Sequence, residues 1–467
     1  MTRSATMLVG GDDTIVACAT PEGRGALAVI RLSGAHAIDI ARALGAFDRV
    51  LAPAHAPATT PTHRTVMRAA LRHPITHKPL DDALVTPFFG PHTFTGEPLV
   101  ELSTHGGRVV VDSVVAACVA AGARLALPGE FTRRAVLNGK MDVLQAEAMA
   151  DLIDARTTTM QQQALVQMDG GLSRRVLSLR DDLLHVEALL AYDIDFPDED
   201  DGPIAPRRIT EAATRVRDAI DALLATAPRA VMVRDGATVV IAGPPNAGKS
   251  SLFNALLGES RALVTEIAGT TRDAVDALLD RTPTPLRLVD TAGMRETADT
   301  LERMGIEVSE RFLGAAHVVL ACGSSESDVR HAVKTVQAHT SAPVLGVHTK
   351  IDLQPEDAPL RADWCAVSAE TGQGLATLLT RIDAQLAHGA ATHEDALVIT
   401  RERHQRGLRD AREEITHFVE GWSSGALPAT VAAVHLLAAR DALSNLVGAI
   451  GTEDILDRVF ADFCIGK

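Results

Sequence analysis

Residues 238–258 read TVVIAGPPNAGKSSLFNALLG and decide the fold of the central part of this chain. An aliphatic run, a glycine-containing loop and an apolar segment follow one another, which predicts a strand, a loop and a helix. The loop, GPPNAGKS at 243–250, fits the G-x-x-x-x-G-K-[ST] pattern whose backbone N–H groups cradle phosphates. We therefore expect Lys249 to reach the β- and γ-phosphates of a nucleotide and Ser250 to ligate Mg²⁺.

Two further motifs belong to switch loops of a GTPase. GTTRD at 269–273 offers Thr271 to complete the Mg²⁺ shell when a γ-phosphate is present. LRLVDTAG is an apolar strand that ends in Asp290, on the metal side, and in Gly293, which senses the γ-phosphate. Their order along the chain after the phosphate loop favours a GTPase over other P-loop enzymes.

Two more motifs indicate guanine. In VLGVHTKID, Asp352 can accept hydrogen bonds from the N1 and amino groups of guanine, and Lys350 precedes it. In VSAETGQG, Ser368 and Ala369 are placed for the opposite edge of the base. Thr349 stands where an asparagine is usual. We therefore expect the link from this guanine-binding motif to the phosphate loop to be lost and GTP affinity to be modest.

The residue after the DTAG motif is Met294, which cannot polarise the attacking water as a glutamine does. Asn246 of the phosphate loop offers two interpretations. Its side-chain oxygen can bind a monovalent cation that supplies positive charge as the γ-phosphate is cleaved, or it can cap the loop.

Composition bounds the possible functions. The chain has 467 residues, 46% hydrophobic and 22% charged, which predicts several globular domains. A net charge of −15 and 3% aromatic residues argue against broad nucleic-acid binding by phosphate neutralisation or base stacking. Five scattered cysteines, no apolar leader and no long apolar run predict a cytoplasmic protein without disulfides.

The pattern of hydrophobic residues divides the chain. Mixed α/β character runs to about residue 128, and helical stretches follow. An α/β pattern occupies 234–388, and helices return after it. The first of the helical segments carries an apolar stripe that is expected to pack in a core: Leu172, Val176, Leu179, Leu183, Val186 and Leu190. Helices on both sides suggest that the α/β segment is inserted into a helical domain.

The chain resembles the MnmE or TrmE family of tRNA-modification GTPases from end to end. The motifs that carry the resemblance are TIVACATPEGRGALAVIRLSG, FTGEPLVELSTHGG, PGEFTRRAVLNGKMDVLQAEAMADLIDA, IDFPDED, the GTPase segment and the terminal FCIGK. This resemblance also accounts for the terminus, since family members end in Cys-Ile-Gly-Lys, and it implies that the terminus lies in the folded helical domain.

The resemblance implies a multidomain fold, α/β plus all-α. Its parts are an α+β domain for tetrahydrofolate binding and dimerisation at 1–128, a helical domain from 129–233 and 389–467, and an inserted Ras-like GTPase domain at 234–388. The implied activity is GTP hydrolysis coupled to carboxymethylaminomethyl addition at C5 of the wobble uridine of certain tRNAs. The one-carbon unit comes from a 5-formyl- or 5,10-methylene-tetrahydrofolate. The implied partner of the homodimer is an FAD-dependent MnmG-type protein.

The resemblance also assigns site residues. It implies folate contacts by Arg31, Glu101, Lys140 and Lys467. Arginine and lysine suit the glutamate tail of folate, and a carboxylate suits the donors on its pterin edge. It implies a K⁺ site formed by Asn246, Thr265, Ile267 and Thr270, activation by pairing of GTPase domains, and Glu302 as the acid that orients the attacking water. The catalytic residues are then Glu302, Lys249 and Asn246. The remaining residues expected around GTP are Ala247, Gly248, Ser251, Glu266, Ala268, Gly269, Thr291, Ala292 and Glu370.

Some alternatives stay open. Cys464 is either an activated thiol or a small apolar residue. The arginines between Arg401 and Arg412 either touch tRNA phosphates or form a solvated, salt-bridged face. The rival functions are a ribosome-assembly GTPase of the Era or EngA type and a self-associating scaffold that holds folate as a structural ligand. The sequence does not identify the tRNAs, the nitrogen donor, or how hydrolysis drives the modification.

Overall fold

A computed structural model describes residues 13–47, 62–195, 205–259, 262–263, 275–280, 284–290, 312–354, 361, 363–387, 399, 401–448 and 466. The chain forms two compact units. Unit 1 comprises Met1–Ala150 and Val447–Lys467, and unit 2 comprises Asp151–Leu446. Because unit 2 contains both α/β and helical segments, the boundaries expected at 233/234 and 388/389 stay predictions.

Unit 1 combines a sheet with helices. Its first two strands lie between residues 14 and 34, in the segment expected to have mixed α/β character. Its elements are β1 (Ile15–Cys18), β2 (Leu27–Ser33), α1 (Ala37–Ala43), β3 (Met67–Arg72), β4 (Pro79–Phe88), β5 (Leu99–His105), α2 (Arg108–Ala120), β6 (Arg124–Leu125) and α3 (Glu130–Leu137). Helix α4 (Val143–Asp154) contains the boundary between the units.

The six strands of unit 1 lie in the order β3-β4-β5-β2-β1-β6, and only the β1–β6 pair is parallel. Side chains alternate between the faces of a strand. Ile30 and Leu32 of β2 therefore pack with α1 and α2 in the main core. The alternate residues of β2 point to the opposite face of the sheet. On that face, Ile15 of the neighbouring β1 packs against Phe131 of α3. Arg31, between Ile30 and Leu32 on β2, points to this second face.

The α/β part of unit 2 is a seven-stranded sheet in the order β13-β12-β11-β7-β10-β9-β8. Its elements are β7 (Ala237–Ala242), α9 (Lys249–Glu259), β8 (Ala262–Leu263), β9 (Val275–Leu279), β10 (Leu286–Asp290), β11 (Val318–Gly323), α10 (Glu326–Gln337), β12 (Val344–His348), β13 (Cys365–Ala366) and α11 (Leu375–Ala387). Strands β7 and β10 to β13 are parallel, whereas β8 and β9 form an antiparallel edge. Helices cover both faces, which explains why β7 is apolar at every position except Thr238.

The helical part of unit 2 brings together segments from before and after the α/β part. Its helices are α5 (Thr158–Met168), α6 (Gly171–Asp195), α7 (Pro206–Leu224), α8 (Ala227–Asp235), α12 (Glu402–Ser423) and α13 (Ala429–Val447). Helix α7 packs against both α6 and α12. The stripe from Leu172 to Leu190 lies on α6 and is at most 2% exposed, so its predicted core role is confirmed.

The fold also bears on three expectations drawn from composition. The expected mixture of α/β and all-α segments is confirmed. Within the part of the chain that the structure describes, no helix is long and apolar enough to cross a membrane. The described cysteines are free thiols, and burial raises the pKa of Cys118 and of Cys322 to about 12, which keeps both neutral.

Candidate functional site

The phosphate loop lies at the point where the chain changes direction across the sheet. From β7 the chain passes to β10 on one side and then to β11 on the other. In a parallel sheet such a reversal opens a crevice beyond the carboxyl ends of the strands, and ligands bind there. Residues 243–248 fill the turn between β7 and α9, so the start of α9 points into this crevice.

The backbone of the loop explains why glycines stand at two of its positions. Gly243 has φ +150°, and a Cβ there would lie 2.2 Å from the carbonyl oxygen of Cys322. Gly248 has φ +78°, in the left-handed region that glycine adopts without strain. Asn246 is also left-handed, with φ +60°, and its side chain is exposed at the rim of the loop. Asparagine tolerates this conformation better than most residues, which suits either interpretation of its role.

Lys249 is the buried cation of the loop. It is 7% exposed, and its Nζ donates hydrogen bonds to the carbonyl oxygens of Gly243 (2.9 Å) and Pro244 (2.8 Å). The ammonium group is therefore held inside the loop. A lysine held there by neutral carbonyls suits a highly charged anion such as a triphosphate.

Ser250 and Asp290 come together as expected for a metal position. Ser250 Oγ donates a 2.8 Å hydrogen bond to Oδ2 of Asp290, the last residue of β10. Asp290 is 3% exposed. A hydroxyl and a carboxylate oxygen are the donors that Mg²⁺ prefers, so this pair fits a magnesium site.

Thr349 corrects one expectation. Its hydroxyl lies 2.7 Å from the carbonyl oxygen of Ala247 in the phosphate loop and 3.1 Å from that of Gly323 at the end of β11, so it can donate to either. The side chain is 3% exposed. Replacement of the usual asparagine by Thr349 therefore does not remove the link between the guanine-binding motif at 349–352 and the phosphate loop. Strand β12 brings residue 349 close enough for its hydroxyl to make this hydrogen bond.

We expect Thr349→Val to weaken GTP binding about five- to tenfold, because an uncompensated carbonyl of the phosphate loop costs roughly 1 kcal/mol. Isothermal titration with a non-hydrolysable GTP analogue measures this effect. Thr380→Val on α11, an exposed position, is the matched control and should bind normally. Unchanged affinity in Thr349→Val would show that the link does not support the site.

The residues expected around the base also meet. Ser368 Oγ is buried and donates a 2.5 Å hydrogen bond to Oδ1 of the exposed Asp352. Lys350 has φ +57°, and its Nζ donates to the carbonyl oxygen of Asn246 at 2.9 Å. The second carboxylate oxygen of Asp352 is not engaged by this bond to Ser368. The three segments that carry these residues, namely the phosphate loop, residues 350–352 and the segment at Ser368, thus converge.

Unit 1 holds a second candidate site. Strands β2 and β5 pair Arg31 with Glu101, and the guanidinium donates two hydrogen bonds to Oε1 of Glu101, at 2.7 Å from Nη2 and 3.1 Å from Nε. The two side chains are 23% and 29% exposed. The ring centroids of Phe94 and Phe131 lie 5.7 and 5.9 Å from Cζ of Arg31, close enough for cation–π attraction.

The other residues expected at a folate site are placed less directly. Lys140 is exposed, and its Nζ donates to the carbonyl oxygen of Pro91. Gly466 lies against β1, where a Cβ would be 2.1 Å from the carbonyl oxygen of Cys18. We expected the terminus in the helical domain, but Gly466 belongs to unit 1, where the close approach is possible only for glycine.

Comparison with known families now bears on these two sites. The profile described as "GTP-binding protein TrmE N-terminus" matches residues 14–140, and the profile "MnmE helical domain" matches residues 143–464. The chain belongs to the MnmE family. Its members are tRNA modification GTPases by name, and this chain is similar to them over nearly its whole length.

Individual MnmE relatives agree in length as well as in sequence. The "tRNA modification GTPase MnmE" of Moorella thermoacetica is 38% identical, covering 98% of this chain and 100% of the relative. That of Aquifex aeolicus is 37% identical over 97% and 100%. That of Methylobacterium radiotolerans is 42% identical over 97% and 99%. The MnmE assignment favours a tRNA-modifying GTPase over the Era or EngA type considered above.

Several residues expected from the MnmE resemblance lie outside the described residues, so their roles stay predictions. From the expected K⁺ loop and first switch these are Thr265, Glu266, Ile267, Ala268, Gly269, Thr270 and Thr271. From the second switch and the residues after it they are Thr291, Ala292, Gly293 and Glu302, and from the terminus Cys464 and Lys467. Ala369 and Glu370 are described; the first is half-buried and the second exposed, next to the buried Ser368.

Three of the arginines between Arg401 and Arg412 form ion pairs, whereas Arg403 donates to backbone carbonyls and Arg409 to the neutral Gln405. Arg401 pairs with Asp151 at 2.6 Å, Arg406 with Glu402 at 2.9 Å, and Arg412 with Asp221. These pairs agree with the salt-bridged face that was one of the two open interpretations.

Sequence reasoning missed a buried charge network in unit 1 of this MnmE member. Glu130 is 5% exposed and accepts hydrogen bonds from Arg124, Arg134 and the backbone N–H of Leu127. Arg134 also donates to Asp13. Burial raises the pKa of the Glu130 carboxyl, but hydrogen bonds and the charge of Arg124 outweigh it, so the pKa lies below the ordinary 4.5. The only signal in the sequence was the acid and arginine four residues apart on one helix face.

Proposed function

We propose that this chain binds GTP with Mg²⁺ at the β7–α9 loop and hydrolyses it during modification of tRNA wobble uridine in the cytoplasm. The observation that carries the proposal is the buried Lys249 inside the phosphate loop, next to the Ser250–Asp290 pair. Membership of the MnmE family supports the link to tRNA.

Each side chain of the crevice has a part in this proposal. Lys249 exchanges its two carbonyl partners for phosphate oxygens and offsets negative charge there. Ser250 and Asp290 hold the Mg²⁺, which neutralises charge on the phosphates when it is bound. Asp352 selects guanine with its carboxylate, and Ser368 orients that carboxylate through their hydrogen bond. Glu302 positions the attacking water.

Potassium activation is part of the proposal. Asn246 lies at the exposed rim of the phosphate loop, where its side chain can contribute an oxygen to an ion beside the phosphates. Thr265, Ile267 and Thr270 supply the other ligands. Pairing of two GTPase domains across their nucleotides then closes the site around the attacking water and excludes bulk solvent.

We expect GTP turnover to rise at least tenfold when Na⁺ is replaced by K⁺, because a K⁺ ion adds positive charge where it develops during cleavage. Steady-state phosphate release at equal ionic strength measures the effect, and specific activity should increase with protein concentration. Asn246→Ala should remove the difference between the salts. Equal rates in both salts for the unaltered protein would contradict the role of Asn246.

Unit 1 is proposed to bind a tetrahydrofolate at Arg31 and Glu101. The half-exposed ion pair offers a carboxylate for the pterin donors and a guanidinium for an anionic group. Phe94, which is half-buried, adds flat apolar surface beside it, which suits an aromatic ligand. Lys140 and Lys467 are proposed to bind the glutamate tail.

We expect Glu101→Gln to weaken binding of 5-formyl-tetrahydrofolate about 10- to 100-fold, because the hydrogen bonds that it loses are charge-assisted. Isothermal titration measures the affinity. Asp82→Asn is the matched control, since Asp82 pairs with Arg68 in the same sheet but on two other strands. Equal affinities for Glu101→Gln and the unaltered protein would place the ligand elsewhere.

The full reaction requires a partner and a particular arrangement of domains. We propose a homodimer that works with an FAD-dependent MnmG-type protein, and a GTPase domain inserted between two halves of a helical domain. Packing of α7 on both α6 and α12 supports the insertion. Mass spectrometry of tRNA nucleosides, with and without this gene, tests the function. Loss of the carboxymethylaminomethyl group in the deletion strain is the expected result, and an unchanged nucleoside profile would refute it.

A further inference from the structure

Helices α12 and α13 bring three potential metal ligands together far along the chain from the nucleotide motifs. Glu414 and His417 are three residues apart on α12, so they share one face of that helix. His435 projects from α13. One ligand atom from each residue lies within 4.8 Å of the other two. We propose that these three residues bind a divalent transition-metal ion such as Zn²⁺, which joins the two helices.

The contacts within the cluster already resemble a binding site. His435 Nδ1 and Glu414 Oε2 are 2.6 Å apart, and the rings of His417 and His435 lie edge to face with their centroids 5.6 Å apart. Glu414 and His435 are half-buried, whereas His417 is exposed. The cluster is therefore partly shielded but open on one side, through which an ion can enter.

The donor set suits the proposed ion. Two imidazoles and one carboxylate favour zinc and similar metals over Mg²⁺ or Ca²⁺, which prefer oxygen ligands alone. Ligand atoms on a tetrahedral zinc ion lie roughly 3.4 Å apart, given bond lengths of about 2.1 Å. Binding of the ion therefore requires the His435–Glu414 contact to open from 2.6 Å, while the other spacings already lie within 4.8 Å. Water supplies the fourth ligand.

The helices that carry the ligands are held close at both ends. A Cβ on Gly407 would lie 2.7 Å from Leu446 Cδ2 of α13, and one on Gly421 would lie 2.2 Å from Leu427 Cδ1 in the turn that joins the two helices. Arg403 donates to the carbonyl oxygen of Leu446. Little conformational entropy is therefore lost when an ion joins α12 to α13, which favours tight binding.

The charged groups near the cluster do not oppose a cation. Arg412 is engaged by Asp221 of α7, and Arg440 is engaged by Glu187 of α6. Glu413, next to Glu414, is an exposed acid. The positive charges of Arg412 and Arg440 are thus compensated within the described part of unit 2, and Glu413 adds a negative charge beside the cluster.

Titration of the full-length protein with Zn²⁺, in competition with a chromophoric chelator, tests the proposal. We expect one equivalent of Zn²⁺ to bind with micromolar or tighter affinity, and His417→Gln, His435→Gln and Glu414→Gln each to weaken it at least tenfold. His185→Gln, an exposed histidine of α6, is the control and should bind as the unaltered protein does. Circular dichroism verifies that each variant keeps its helices.

Two outcomes would overturn the proposal: no binding at micromolar Zn²⁺, or equal binding by the unaltered protein and both histidine variants. Cobalt provides an independent readout. Co²⁺ at this cluster should give visible absorption bands that disappear in His435→Gln and persist in His185→Gln. Slower hydrogen exchange in the 424–428 turn on addition of Zn²⁺ would show that the ion joins α12 and α13, and unchanged exchange would count against it.

Discussion

Lys249→Ala is expected to lower kcat/KM for GTP by about 100- to 1,000-fold, equivalent to about 2.7–4 kcal/mol of transition-state stabilisation. The reason is the position of the ammonium group. It is buried inside the phosphate loop and held by two carbonyl oxygens, so it is preorganised to meet phosphate charge where water screens it poorly. Phosphate release at saturating and subsaturating GTP separates the effect on turnover from that on binding.

Two further variants make this prediction specific. Lys334→Ala removes an exposed lysine of α10 and should leave kcat/KM unchanged. Lys249→Arg keeps the charge but changes the shape of the donor, so it should recover little activity. Melting curves check that the loop variants remain folded. A Lys249→Ala protein that is folded and active within threefold of the original would refute the assignment of the phosphate site.

Glu130→Gln is expected to destabilise unit 1 by about 3–5 kcal/mol at pH 7. The carboxylate compensates two arginines, and one of them, Arg134, has a side chain only 9% exposed. Without the negative charge of Glu130, both guanidinium groups lose part of their compensation in a partly dehydrated setting. Because the chain has two compact units, hydrogen exchange of β1 and α3 peptides is a better measure than one melting temperature.

The effect should also depend on pH in a defined direction. The folded-state pKa of Glu130 lies below 4.5, so its contribution to the free energy of unfolding is fully present above that pH. It is lost as the pH falls through the folded-state pKa. The difference between the unaltered protein and Glu130→Gln should therefore shrink between pH 5 and pH 3. A difference that stays constant over this range would mean that charge is not the cause.

Asp39→Asn is the control for the charge network. Asp39 pairs with Arg42 on the exposed surface of the same unit, where both side chains are more than half exposed. Exposed pairs contribute little because water and salt screen them. We expect a change of less than about 1 kcal/mol and no comparable dependence on pH. A similar loss in both variants would indicate that any charge removed from this unit destabilises it.

What the sequence could predict follows from what is local. The phosphate loop joins a strand to a helix within a few residues, so its pattern can be recognised locally. Its backbone is left-handed at residue 248, which explains the glycine there. The α6 stripe was visible because helical periodicity places its members on one face. Strands β1 and β2 likewise fall in the segment whose composition predicted mixed α/β structure.

What the sequence could not predict depends on contacts between distant segments. The hydroxyl of Thr349 reaches the phosphate loop only because β12, β11 and β7 are neighbours in the sheet. Arg134 and Asp13 meet although more than a hundred residues separate them. Likewise, Glu414 and His417 show helical spacing, but nothing in the sequence indicates that His435 faces them from the next helix.

The contact of Gly466 with Cys18 has a consequence for synthesis of the protein. The first strand of unit 1 leaves the ribosome early, whereas the residue that covers its end is translated only after the whole of unit 2. Unit 1 therefore cannot be completed before unit 2 has been synthesised, and until then the end of β1 lacks its contact with Gly466. A message truncated just after unit 2 yields a polypeptide with all the described strands of unit 1 but without the contact of Gly466 at the end of β1.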